Sequence, residues 1–133
     1  IETYPYTYYD FKIHNQRRQF GNVVFSKYPL INKHTIAYQS RSSISSCCDM
    51  VVGEDTLRLF INHLESNRFE KDDLMVPDSL SREVLQQKAS KIAQKLESAG
   101  PIRMQQARAV HKAIKESPYP SVVVGDFNCT PLS

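Results

Sequence analysis

The run Ser121-Val122-Val123-Val124-Gly125 constrains the fold more than any other stretch of the chain. Three consecutive β-branched apolar residues between a proline and a glycine predict a strand, and their unbroken apolar character predicts a central strand buried on both faces. The residues ahead of it follow a helical period. Asp78 or Ser79 is placed to cap a helix in which Leu85, Ala89, Ile92 and Leu96 form one stripe. Gly100 followed by Pro101 predicts the end of that helix and the start of a second, with Ile102, Gln106, Ala109 or Val110, and Ala113 on its inner side. Further upstream, Ser45 to Val52 and Thr56 to Asn62 read as strands joined by the turn Gly53-Glu54-Asp55. In the second of these, Leu57, Leu59 and Ile61 point one way and Phe60 the other. Strands, two helices and a returning strand make a helical crossover, so the fold class is α/β, with helices layered on a sheet.

Composition narrows the function classes. With 133 residues, 41% hydrophobic and 10% aromatic, the chain has the content of one globular domain and excludes a collagenous or disordered chain. No stretch approaches the roughly 20 consecutive apolar residues of a membrane-spanning helix. The net charge of +3 is spread evenly along the chain, so no basic arm for a polyanion is present. Cys47 and Cys48 are adjacent and Cys129 is distant, which argues against a disulfide scaffold or a zinc site. The chain begins at Ile1 without a signal-peptide pattern and is expected to be part of something longer. Its opening, Tyr4 to Phe11, reads as an aromatic, irregular segment packing on a sheet edge. Gly21 introduces a strand over Asn22 to Ser26, Pro29 closes it, and His34 to Gln39 reads as another strand. The polar stretch Glu65 to Asp78 reads as a surface insertion.

Chemistry concentrates after the valine run, in Gly125-Asp126-Phe127-Asn128-Cys129-Thr130-Pro131. A strand that ends in glycine and presents a carboxylate, then a carboxamide two residues later, places both at the mouth where α/β sheets bind ligands. On extended backbone Asp126 and Asn128 would reach one ligand together while Phe127 anchors in the core. The same residues also fit a plain turn, because Asx side chains bond their own backbone. Asn62-His63-Leu64 repeats the arrangement on another strand and brings an imidazole to the same edge if the two strands are parallel neighbours.

These motifs, with Gly21-Asn22-Val23-Val24-Phe25-Ser26-Lys27-Tyr28-Pro29-Leu30 before them and the Gln- and Arg-containing segment Arg103 to Ala107 between them, resemble the endonuclease/exonuclease/phosphatase superfamily. That superfamily includes deoxyribonuclease I, abasic-site endonucleases, sphingomyelinases and inositol polyphosphate phosphatases. The resemblance runs from Gly21 to Ser133 and implies part of a four-layer αββα sandwich with two mixed sheets. It implies a divalent-metal-dependent phosphoesterase acting on a nucleic acid, a lipid head group or a small phosphate ester. Asp126 matches the carboxylate that orients or deprotonates the attacking water, and Asn128 the carboxamide that holds that water and the developing charge. His63 matches the histidine that bonds the phosphate or assists the leaving group. Arg41 and Asn62 are expected at the substrate, and Asp126 and Asn128 near Mg²⁺ or Mn²⁺ as second-site or water-mediated ligands. His14, His34 and His111 match no motif.

The resemblance also sets out what residues 1–133 are expected to lack. The superfamily's principal metal ligand is a glutamate from an early strand, and its closing motif is an Asp-His pair; neither can be placed on this sequence. Hydrolysis by these residues alone is therefore expected to be absent or crippled, since base, cation and final histidine act as a unit. The alternative is a non-catalytic interaction domain that keeps the fold. Cys129 stands where relatives commonly carry Asp.

Overall fold

A computed structural model describes residues 3–15, 18–40, 42–75 and 81–129. In chain order the elements are β1 (Tyr6–Asn15), β2 (Arg18–Ser26), β3 (Leu30–Thr35), β4 (Ile44–Val52), β5 (Asp55–His63), α1 (Lys71–Leu74), α2 (Arg82–Lys115) and β6 (Ser121–Asp126). Strands β1 and β2 pair antiparallel as one sheet, while the second sheet has the order β3-β4-β5-β6. In the second sheet β5 pairs antiparallel with β4 and parallel with β6, so it is mixed.

The alternation of β4 and β5 explains the layering. Cys47 and Phe60 point to one face, where Ile36 of the β3–β4 connection and Val110 of α2 pack on them with Ala109, Ala113 and Ile114. Cys48, Leu59 and Ile61 point to the other face, against Tyr8 of β1, Val24 of β2, Leu30 and Met50. The described residues thus stack as helix, mixed sheet and the β1–β2 sheet. The two sheets are also tied by Asn22, whose carboxamide nitrogen donates across the interface to Ser46 Oγ and the Ile61 carbonyl, both at 2.9 Å.

Several elements differ from the sequence-based expectation. The opening segment is a regular strand, because its alternate residues Tyr8 and Asp10 face the second sheet while Tyr9 and Phe11 face outward. The strand expected at His34 to Gln39 lies earlier, at Leu30–Thr35. The hairpin turn is tighter than three residues, since Val52 pairs with Asp55 and Gly53 takes a φ of 63°, which an L side chain rarely adopts. The register therefore places Ile44 opposite His63.

The two expected helices are one. Helix α2 runs 34 residues through Gly100 and Pro101, and Ser81 caps it with its hydroxyl oxygen accepting from the Val84 amide; Asp78 and Ser79 lie outside the described residues. Proline in a helix interior removes one backbone hydrogen bond, a cost of about 3 kcal/mol. Anchors on both sides of it oppose a break. Lys95 donates to the Arg68 carbonyl and to Asp73, while Arg103 donates to the Glu65 carbonyl and to Asn67. The same anchors show that the stretch after Glu65 is a strap across the helix with a short helix of its own. The expected stripe of the first helix is largely exposed, with Leu85 and Leu96 more than two-fifths open to solvent, because no described element covers it. Strand β6, expected at the sheet centre, is the edge strand among the described residues. Its three valines are each about 40% exposed.

At the far end of the mixed sheet Asp49 is fully buried, and its carboxylate accepts from Arg58 at 2.6 and 2.9 Å and from Asn32 at 2.8 Å. The Arg58 bonds hold its pKa below the usual value against the opposing effect of burial. A carboxyl depressed in the folded state stabilises the fold above the unfolded pKa of about 4, and that contribution is lost as pH falls toward the folded value. We expect the urea midpoint of unfolding to fall on acidification below about pH 4. Asp49→Asn should cost about 3 kcal/mol at neutral pH, since it leaves Arg58 without its charge partner, and should flatten the acid limb. An acid limb as steep in the variant as in the wild type would refute this assignment.

Candidate active site

The site is built where β5 and β6 end together. In the parallel register Asn62 pairs with Gly125 and His63 with Asp126, so imidazole and carboxylate stand on neighbouring strands at the carboxyl edge. Alternation puts both on the face toward β1 and β2: Leu59 and Ile61 precede His63 on that face, whereas Val123 and Phe127 line the helix side. Asp126 is exposed and His63 half-buried.

The strands approach closely for a specific reason. A Cβ on Gly125 would lie 1.9 Å from the Asn62 carbonyl oxygen, and the glycine φ is 132°. Only glycine fits both conditions. Beyond it the ladder continues through the Leu64 amide, which donates to the Asp126 carbonyl at 2.9 Å. The Asn128 carboxamide nitrogen then donates to the Leu64 carbonyl at 2.9 Å, closing the pair of strand ends.

The turn reading of Asp126 and Asn128 is present in the geometry. The Asn128 backbone amide donates to Asp126 Oδ1 at 2.9 Å, and Asn128 has a φ of 50°. Extended backbone therefore stops at Phe127, and the two side chains do not simply project side by side. This bond engages one oxygen of the carboxylate, and Oδ2 has no partner among the described residues. Phe127 is 38% exposed rather than anchored in the core. It lines a groove of about 410 Å³ on the helix side, with Leu64, Arg103, Met104 and Cys129.

Asn62 is sealed in, at 2% exposure, and its carboxamide nitrogen donates to the Phe60 and Val124 carbonyls at 3.3 and 3.2 Å. It braces the two strands on the helix side. Its Oδ1 is buried without a protein partner. Arg41 lies outside the described residues. Among the described residues no group of three or more His, Cys, Asp or Glu side chains is placed to hold a metal ion. The edge offers Asp126 Oδ2 and Asn128 Oδ1, two oxygens that do not make a cation site by themselves.

Sequence reasoning did not single out Glu65, which immediately follows the Asn62-His63-Leu64 motif. It is 5% exposed, and its carboxylate accepts from Ser43 at 2.9 Å, from Ser40 and Ser42 at 3.3 Å, and from Arg68 at 2.7 Å. Burial pushes its pKa up, but the Ser43 and Arg68 donors outweigh it and hold the carboxyl below its ordinary value. Gln106, buried on α2, accepts from the Glu65 amide at 2.8 Å. The only hint in the sequence is a carboxylate within a polar stretch, which composition cannot separate from a solvated one.

Comparison with solved structures gives the architecture a counterpart. The crystal structure of humanized D. rerio TDP2, carrying 14 mutations, matches 92% of this chain with a TM-score of 0.50 and 19% identity. The chain shares the fold of that structure. The chain spans 41% of that protein's chain. No family model matches the sequence, and no curated protein does. The helix, the mixed sheet and the β1–β2 sheet form three stacked layers, as in part of an αββα sandwich.

The close approach of β5 and β6 is open to a direct check. Gly125→Ala should lower stability by about 2–4 kcal/mol, through overpacking against Asn62 and a strained φ. The readout is the urea midpoint together with hydrogen exchange of the Leu64 amide, which should lose protection. An unchanged midpoint and a protected Leu64 would show that the strands do not meet as described.

Proposed function

We propose that the chain carries the water-activating edge of a divalent-metal-dependent phosphoesterase, hydrolysing a phosphodiester or phosphomonoester. One observation carries this reading: His63 and Asp126 are register partners at the carboxyl ends of two parallel strands, in a deoxyribonuclease I-like fold. Hydrolysis of a phosphate ester needs a base beside the attacking water and donors where negative charge accumulates. Asp126 is the base or water-orienting group, acting through Oδ2 while Oδ1 is held by the Asn128 amide. That bond restrains the carboxylate through one oxygen. Asn128 presents its carboxamide oxygen to the same water, its nitrogen being engaged by Leu64. His63 donates to a phosphate oxygen or to the leaving group. Asn62 serves the substrate indirectly, by holding the strand ends in register, and Arg41 is assigned to the phosphate.

Mg²⁺ or Mn²⁺ is the cofactor of this proposal and would supply charge neutralisation on the phosphate when bound. Asp126 and Asn128 would contribute at most an oxygen each, directly or through water, so further ligands must come from elsewhere. The substrate is assigned only as a phosphate ester, because loops around such clefts set selectivity. No helix among the described residues is long and apolar enough to cross a membrane.

The test is Mg²⁺-dependent hydrolysis of bis(p-nitrophenyl) phosphate by the full-length protein that contains this chain. Asp126→Ala should reduce the rate about 100-fold or more, the range of a lost general base. Equal rates in wild type and variant would remove Asp126 from the mechanism. No hydrolysis of any phosphate ester by the wild type would favour an interaction domain that keeps the fold alone.

A further inference from the structure

We propose that Glu65 is the positioning residue of this site, a fixed buried negative charge that locks the Ser40–Ser43 turn onto the strand end carrying His63. The inference rests on the phosphoesterase reading for its catalytic consequence and on geometry for its structural one.

Hydrogen-bond accounting shows how the lock works. Each serine hydroxyl has one proton to give. Ser40, Ser42 and Ser43 all direct theirs at the Glu65 carboxylate. Their oxygens are then free to accept. Ser40 Oγ accepts from the backbone amides of Ser42 and Ser43 at 3.2 and 2.9 Å, and Ser42 Oγ accepts from Arg68 at 3.0 Å. The carboxylate therefore sets the polarity of these serine hydroxyl bonds. The Ser40 carbonyl also takes the Lys12 ammonium from β1, so the turn is held from the β1–β2 sheet as well.

Glu65 reaches the other elements through its backbone, with its amide on Gln106 and its carbonyl on Arg103 of α2. One residue thus joins the turn before β4, the end of β5 and the long helix. The next residue after the turn, Ile44, is the register partner of His63. Its carboxylate, with four donors, is saturated and buried, which fits a fixed orienting charge rather than a base or a metal ligand. The Arg68 guanidinium adds a charge-assisted bond to this carboxylate at 2.7 Å while most of its side chain stays exposed.

The deciding variant is Glu65→Gln, which keeps the shape and replaces one acceptor oxygen by a donor that faces hydroxyl protons or Arg68. In the full-length protein we expect kcat for bis(p-nitrophenyl) phosphate to fall about 10- to 100-fold with KM changed less than about threefold, the split of a group acting on the transition state. Hydrogen exchange at the Ser42 and Ser43 amides should accelerate about tenfold or more while that of β4 and β5 stays as in the wild type. Glu65→Asp, which restores the charge, should recover part of both. Wild-type kcat in Glu65→Gln, or unchanged exchange at Ser42 and Ser43, would overturn the proposal. Should Glu65→Gln fail to fold, Ser43→Ala removes the shortest hydroxyl bond alone and must show the same local acceleration. If the wild type hydrolyses nothing, the function assigned above fails, and the exchange result still decides whether Glu65 organises the turn.

Discussion

The parallel contact between β5 and β6 at Asn62 and Gly125 is the constraint on which the rest of the structure depends. Side-chain clearance of that contact exists only because residue 125 has no Cβ. Once the strands meet there, register carries His63 beside Asp126, the Leu64 amide meets the Asp126 carbonyl, and Asn128 is brought within reach of the Leu64 carbonyl. The helical crossover between the two strands has to span the sheet, and this is what α2 does with Phe60 and Val110 at its contact. Shift the register by one residue and the imidazole and the carboxylate face opposite sides of the sheet.

A second theme is the amount of polar chemistry buried in so small a structure. Asp49 with Arg58, Glu65 with its serines, and Asn22 between the sheets are each satisfied by several partners. Such groups add little net stability when complete and cost several kcal/mol when one partner is lost. Their value is specificity of arrangement. Asp49 closes the amino end of the parallel pair, Asn22 holds the sheets face to face, and Glu65 gathers the turn at the carboxyl end. Two atoms, Asn62 Oδ1 and Gln106 Nε2, are buried without a protein partner.

Much of this was legible in the sequence, and the failures share a cause. Period and β-branching located β4, β5 and β6, and the glycine of Gly125-Asp126 marked the strand end correctly. The halves of α2 were separated at Gly100-Pro101 because local propensity counts the lost hydrogen bond but not Lys95 and Arg103 pulling on the strap from either side. The valine run of β6 suited a central strand, yet burial depends on neighbours that no local pattern contains. Within the candidate site, the motifs brought His63 and Asp126 to one edge on condition of parallel neighbours, which the register meets, and they offered the Asx turn at Asn128, whereas the inward position of Asn62 did not follow from them. Glu65 escaped notice because its importance comes from three serines more than 20 residues earlier, a relation visible only once the strands pair.

The central claim is that the edge formed by His63, Asp126 and Asn128 receives a phosphate group. The most direct measurement is a titration of the full-length protein with inorganic phosphate in the presence of Mg²⁺, followed by NMR of the His63 ring and the Asn128 carboxamide. The account predicts saturable shifts of both signals, with Cys47, Phe60 and the rest of the helix-side core unmoved. Saturable shifts confined to residues away from this edge, with His63 and Asn128 unperturbed, would contradict it.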